Sequence, residues 1–391
     1  MMSTSTVQSD VFKAVEPVER IATDAADDKP EPGKALCLSG GGFRAMLFHA
    51  GALWRLNEFG LLPQIDRISS VSGGSITAGV LGLSWNRLSF DSNSKIALNF
   101  NALIIEPIRK FAGEKVDIPS VLKGLFWFGS VSDYVTKAYR KHLFGDATLQ
   151  DLPDRPLFVI NASNVQSKAL WRFSKPYMWD YKVGEVEKPR LQLAAAVAAS
   201  SAFPPFLSPL ELNLKQGDFK PGTGQGLERP PFTTTVLLSD GGVYDNLGLE
   251  TAWKRYQTVW VSDAGGMYQP EPRPKRDWYH HTRRVYDLID NQVRSLRKRL
   301  LIDSYKRKIR SGAYWGIWTD IAEYKLPDAL PCPLDKTQAI ASTSTRLSRL
   351  DSLTQERIIN WGYAVCDAAM RTYGGAAPLP KSRFPYTGGV G

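Results

Sequence analysis

Ala35-Leu36-Cys37-Leu38-Ser39-Gly40-Gly41-Gly42-Phe43-Arg44 is the stretch on which the fold turns. Its first four residues form a short continuous apolar run, the pattern of a parallel strand covered on both faces. From Ala45 to Phe59, Leu47, Leu53 and Leu56 recur at helical spacing, and Gly60 is placed to stop that helix. The alternation repeats outward. Ile68 to Val71 reads as a second strand and Ile76 to Leu83 as its helix, with further strands at Leu157 to Ile160, Val236 to Leu238 and Val259 to Val261. Strands alternating with helices predict an α/β fold with a mainly parallel central sheet flanked by helices.

The chain has 391 residues, 43% of them hydrophobic, enough for a sizeable core. No run of about 18 uncharged apolar residues occurs, and Met1 to Asp10 is polar, so neither a membrane span nor a secretory signal is expected. Cys37, Cys332 and Cys366 show neither zinc-site spacing nor a disulfide framework, which fits a reducing, cytoplasmic setting. Cys37 should be a buried, inert thiol. The net charge of +10 suits an anionic surface. Charge alone does not choose among phospholipid, nucleic acid and acidic protein, but no nucleic-acid-binding module is recognisable, so no nucleic-acid partner is expected.

Residues 1–33 are polar and finish in Lys29-Pro30-Glu31-Pro32-Gly33, reading as a disordered leader, and 374–391 reads as an irregular Gly- and Pro-rich tail. Between them, 34–373 is expected to be a single domain. Within it, 89–154 is long for one connection and holds Leu125-Phe126-Trp127-Phe128, which are either part of a helical cap or, more commonly for such side chains, ordinary core. In 277–311, Val285, Leu288, Ile289, Val293, Leu296 and Leu300 recur every three or four positions among arginines and lysines, predicting a basic amphipathic helix. Peripheral docking on anionic membrane and packing on the core are both open to it. Ser352 with Gln355 forms a capping-box pattern opening a helix through Met370.

Three segments that follow apolar strands carry chemistry, and open α/β sheets bind ligands beyond the carboxyl ends of their strands. The Gly40 to Gly42 turn lets backbone amides approach a ligand at a helix start, where unpaired N–H groups favour an oxyanion; Arg44 adds a charged donor for the loop, a phosphate or a carboxylate. A nucleotide loop is the rival, but the Gly-Lys-Ser/Thr ending is missing and Ala45 replaces the third glycine of a dinucleotide fingerprint. Ser70-Val71-Ser72-Gly73-Gly74 approximates a nucleophile elbow with Ser70 in the first glycine's place, and its bland alternative is a serine helix cap. Asp240-Gly241-Gly242 is by itself only a turn signal.

A serine nucleophile needs a base. Of His49, His142, His280 and His281, none follows the expected triad order, and His49 sits about 10 Å along the helix from its start at ~1.5 Å per residue. An aspartate base is feasible if burial raises its pKa or a short hydrogen bond holds the proton.

In this order, Gly40-Gly41-Gly42-x-Arg44, Ser72 in its elbow and Asp240-Gly241-Gly242 resemble the signature of the patatin-like phospholipases, across about Lys34 to Gly265. Ala198 to Pro205 is similar to the small-residue helix end and proline turn between the family's serine and aspartate. Ala45 and Ser70 depart from it, small residue for small residue. The resemblance implies a three-layer α/β core, a Ser72–Asp240 dyad, an oxyanion hole from Gly40, Gly41 and Gly42 with Arg44 fixing that loop, and hydrolysis of fatty acyl esters through an acyl-enzyme without metal or cofactor. The resemblance implies a lipid-ester substrate, and the basic helix offers peripheral contact with anionic membrane; oligomeric state stays open. Transfer of the acyl group to an alcohol, and a catalytically silent lipid-binding scaffold, remain the alternatives.

Overall fold

A computed structural model describes residues 30–114, 131–204, 207–267, 270–375 and 381–391. The leader up to residue 29 and the Leu125 to Phe128 patch lie outside the described residues. Ten strands form one sheet: β1 (Glu31–Leu38), β2 (Arg67–Val71), β3 (Leu157–Asn164), β4 (Ala169–Phe173), β5 (Tyr177–Asp180), β6 (Gly184–Glu187), β7 (Leu210–Asn213), β8 (Thr235–Asp240), β9 (Tyr256–Asp263) and β10 (Ser311–Gly316). The described α-helices are α1 (Gly42–Glu58), α2 (Gly73–Ser84), α3 (Glu106–Ala112), α4 (Val131–Tyr139), α5 (Leu193–Ser200), α6 (Gly242–Asp245), α7 (Glu250–Trp253), α8 (Trp278–Lys306), α9 (Leu334–Ala341) and α10 (Ser352–Tyr373).

The strands run in the order β10-β9-β1-β2-β3-β4-β5-β6, with β8 paired to β3 and β7 to β8. The block β10-β9-β1-β2-β3 is parallel throughout, as the strand and helix alternation predicts. Beyond β3 every pairing is antiparallel. Short links join β3, β4, β5 and β6, and a parallel return would need a crossover of a dozen or more residues. The parallel expectation therefore describes the half that carries the glycine loop and Ser72, and an antiparallel wing completes the sheet.

β1 is buried on both faces. Leu36 and Leu38 enter the larger core with α1 and α10, whereas Ala35 and Cys37 enter a smaller one with Leu247, Leu249 and Leu301. Helices thus cover both sides, giving three layers. α1 is apolar almost all round because α10 packs on its outer side, and two glycines allow a backbone-to-backbone crossing. A Cβ on Gly51 would stand 2.0 Å from the Ile359 carbonyl oxygen, and one on Gly362 2.0 Å from that of Phe48.

Several expectations change at their edges. β1 begins at Glu31, whose N–H donates to the Arg255 carbonyl at 2.7 Å, so residues 31–33 belong to the sheet and not to the expected leader; a register shift between Glu31 and Lys34 accommodates Pro32 and Gly33. From the 89–154 stretch, Ile104, Ile105, Ile108, Phe111 and Tyr139 are fully buried in the main core. Asp351, rather than Ser352, caps α10: its carboxylate accepts from the Thr354 N–H at 3.0 Å and hydroxyl at 2.6 Å. Within the expected tail, residues 381–391 are tied down, because the Asn360 amide donates to the carbonyls of Tyr386 (2.8 Å) and Gly389 (2.7 Å).

The long basic helix α8 is mounted the opposite way from an ordinary amphipathic helix. Two of its arginines face the protein, with Arg294 3.4 Å from Asp263 and Arg297 2.8 Å from Glu250. Its apolar stripe faces solvent.

Candidate active site

Register brings the two chemical segments together. β2 runs upward along β3 and ends with Val71 opposite Asn161. β8 comes down the same edge of β3 in the opposite sense and ends with Asp240 opposite Ala162. The carboxyl ends of β2 and β8 therefore meet head to head at adjacent positions of one strand, and Ser72 and Asp240 meet there although far apart in sequence. The end of α5 ties both down. Ser200 Oγ accepts from the Ser72 N–H at 2.9 Å, its carbonyl accepts from the Gly241 N–H at 3.2 Å, and the Ala202 carbonyl accepts from the Asp240 N–H at 2.8 Å. Ser75 Oγ is 2.9 Å from Ser200 Oγ and donates to Ser70 Oγ at 3.0 Å, so Ser70, Ser75 and Ser200 are a bonded hydroxyl chain beneath the elbow.

Ser72 occupies φ 52°, ψ −120°, a corner of backbone space that L residues avoid and that stores strain at functional turns. Small neighbours make the turn possible: a Cβ on Gly73 would lie 2.1 Å from the Gly42 carbonyl oxygen. The Ser72 hydroxyl is within hydrogen-bonding reach of the Asp240 carboxylate. That carboxylate is almost fully buried and also accepts from the Gly242 N–H at 2.7 Å. Burial pushes its pKa up to about 7; nearby Asp290 pushes the same way, while the Gly242 N–H and the Ser72 hydroxyl pull it down. A carboxylate so poised can exchange a proton near neutral pH.

The glycine loop lies beside this pair. Its N–H groups are not equivalent: Gly40 donates to the Asn246 carbonyl at 3.1 Å, so that amide is committed to holding the loop. Gly41 and Gly42 have positive φ values of 140° and 60° and open α1, and their amides have no hydrogen-bond acceptor among the described residues. Arg44 is buried and turned away from the dyad, donating to the carbonyls of Thr343 (2.9 Å), Ala264 (2.8 Å) and Ala341. It braces the loop against two neighbouring segments.

His49 is buried beneath the loop, with Nδ1 2.8 Å from Ser262 Oγ and Nε2 2.9 Å from the Ser39 carbonyl oxygen. Burial lowers its pKa to about 4, so it is a neutral packing group near pH 7. Ser200, Asn246 and Asp290 escaped the sequence analysis. Ser200 had only its place in a small-residue run, and the other two carried no local signal.

Ser200→Ala removes the acceptor from the Ser72 N–H and breaks the hydroxyl chain. It should lower kcat about tenfold with little change in KM and cost about 1 kcal/mol of stability, checked by steady-state kinetics and denaturant melts.

The profile described as "Patatin-like phospholipase" matches residues 36–253. Triacylglycerol lipase 4 of Saccharomyces cerevisiae is 28% identical over 232 residues, covering 54% of this chain and 22% of the lipase. This chain therefore spans less than a quarter of that relative. Human GIVD cytosolic phospholipase A2 is similar in structure with a TM-score of 0.50 at 13% identity, over 86% of this chain and 61% of the human one. The same enzyme in complex with methyl gamma-linolenyl fluorophosphonate and terbium chloride gives a TM-score of 0.50 at 14% identity, over 86% and 57% of the two chains. At such identities the likeness is one of fold. With the profile matched over more than half of its length and a three-layer α/β core of this kind, the chain belongs to the patatin-like phospholipase family.

Proposed function

We propose that this protein is a serine lipid-acyl hydrolase working through Ser72, with Asp240 as its base. The proposal rests above all on one arrangement: a strained serine at the end of β2 facing a buried carboxylate at the end of β8. Asp240 takes the hydroxyl proton as Ser72 Oγ forms a bond to the carbonyl carbon of a fatty acyl ester. The negative charge that develops on the carbonyl oxygen is met by the Gly41 and Gly42 amides at the start of α1. Collapse of the tetrahedral intermediate breaks the ester C–O bond, and Asp240 returns its proton to the departing alcohol. Water then attacks the acyl-enzyme, giving its proton to Asp240, which passes it to Ser72 Oγ as the acyl C–O bond breaks and the fatty acid leaves. Arg44 and Gly40 hold the loop in shape rather than touching the oxyanion. The substrate is a lipid ester met at an anionic membrane surface, and one α/β domain over 34–373 carries the site. Among the described residues no helix is long and apolar enough to cross a membrane.

Fatty acid release from dispersed phospholipid and acylglycerol, with and without added alcohol, tests the activity and separates hydrolysis from transfer. The pH profile tests the base. Because Asp240 must be ionised to accept the proton and its pKa is pushed up to about 7, kcat/KM on a water-soluble ester should climb as pH rises through 7 and level off above. A profile unchanged between about pH 5 and 8 would exclude Asp240 as the base.

A further inference from the structure

α8 presents to solvent the side that a surface helix normally buries. Leu288, Ile289, Leu296 and Leu300 are 59%, 57%, 52% and 58% exposed, and Trp278 at the helix start is 81% exposed. At 100° per residue, Trp278, Val285, Ile289, Leu296 and Leu300 fall on one stripe, about 33 Å long, with Leu288 at its edge. The opposite side is already spent on the protein. Arg294 bonds the Gly266 carbonyl and faces Asp263, Arg297 pairs with Glu250, Leu301 is fully buried, and the Tyr305 hydroxyl donates to the Val259 carbonyl. Turning the helix to bury its stripe would break these bonds, so the apolar side stays outward.

We infer that this stripe is the surface by which the protein seats itself on an anionic lipid bilayer, lying in the interface with its apolar side chains among the acyl chains. Charge at both ends of the stripe selects this occupant. Exposed Arg273, Lys275 and Arg276 precede Trp278 against Glu271 and Asp277, exposed Lys306, Arg307 and Lys308 follow Leu300 against Asp303, with which Arg307 pairs at 2.8 Å, and exposed Arg299 lines one edge, so each end stays net positive. Basic residues around an apolar stripe match a bilayer carrying acidic headgroups, and an exposed tryptophan suits the headgroup boundary. A second copy of this chain would place the same basic clusters against each other at one end or the other, so the partner favoured is lipid. The proposed site lies beside the protein-facing flank of the same helix. Tyr286, one residue after Val285, packs edge-on against Phe203, itself 46% exposed, and Asp290, one residue after Ile289, lies close enough to Asp240 to raise its pKa. Seating α8 on a bilayer therefore brings the Ser72 site close to the lipid surface. This mode of docking rests on the proposed lipid-acyl hydrolase activity for its purpose, but its geometry stands apart from the dyad.

Flotation of the full chain with phosphatidylcholine vesicles containing phosphatidylserine tests it, alongside the combined variant Leu288→Ser, Ile289→Ser, Leu296→Ser and Leu300→Ser. All four positions are more than half exposed, so folding is retained, and circular dichroism checks this. The wild type should float with the acidic vesicles and weakly with phosphatidylcholine alone, and the variant should bind the acidic vesicles at least about tenfold less tightly. Equal binding by wild type and folded variant, or no binding by the wild type, overturns the inference. So does a wild-type dimer in sedimentation that the variant dissolves into monomers while vesicle binding persists. Reaction of the wild type with a water-soluble fluorophosphonate tests the nucleophile separately. A silent Ser72 with stripe-dependent flotation would remove the hydrolase and leave the docking surface.

Discussion

Ser72→Ala is expected to leave less than about one thousandth of the wild-type kcat on any acyl ester, because no other group can form the acyl-enzyme and the remaining amides only bind and polarise the substrate. The fold should hardly notice. Alanine keeps the Cβ that Gly40 packs against at 3.2 Å from its own ideal Cβ position, and removes only a hydroxyl facing the carboxylate. Ser72→Gly separates the two roles of this position. At φ 52° and ψ −120° a serine backbone is strained, and glycine adopts that conformation without a steric penalty. The glycine variant should therefore be as inactive as the alanine one but more stable, by roughly 1–3 kcal/mol if the full strain is relieved. Initial rates of fatty acid release and chemical melts of the three proteins check both halves.

Asp240→Asn is the second large effect. The amide cannot take the Ser72 proton, so kcat should fall by about a thousandfold or more, and the climb of activity through pH 7 should disappear with it. Stability moves in the opposite direction. The folded pKa of Asp240 is raised from 3.8 to about 7, so between these values the folded protein holds a proton that the unfolded chain has released. Wild-type stability from this group consequently declines as pH rises through that window, and above it the buried carboxylate costs on the order of 4 kcal/mol at most relative to its neutral form. Asn carries no such charge. Its melting temperature should match the wild type near pH 4 and exceed it at pH 8, the gap opening between the two. A gap that opens as pH falls would contradict the burial of an ionisable Asp240.

The middle of the parallel half was legible because β1 and β2 are short runs that end at once in a small-residue turn and a helix, whereas β10 at its edge was not read. Ala35 to Leu38 before Gly40, and Ile68 to Val71 before Ser72, each announce a strand, its end and its direction. β8 announces only that it is a strand. Val236 to Leu238 reads the same for either direction, and the antiparallel pairing that sets Asp240 beside Val71 depends on β3, which lies far away in sequence. The proposed Ser72–Asp240 dyad was suggested by its motifs and not by topology. The resemblance implied that Arg44 fixes the glycine loop, but the commitment of the Gly40 amide was not legible, since it depends on a carbonyl of Asn246 reaching Gly40, and neither were the three distant carbonyls that Arg44 finds. α8 was recognised as helical and basic, but its mounting was not, because periodicity marks an apolar stripe without saying which way it faces. Buried Asp245 and Asp263 with Glu250 decide that by attracting the helix's arginines inward.

The same head-to-head meeting of β2 and β8 carries the account, and a fluorophosphonate probes it most directly. Such a reagent phosphonylates a serine only where a base and oxyanion donors surround it. Incubated with the full chain above neutral pH, followed by peptide mapping, it should modify Ser72 stoichiometrically, and labelling should collapse in Asp240→Asn. Modification of a different residue, or labelling of Ser72 that is indifferent to the loss of Asp240, would contradict the account.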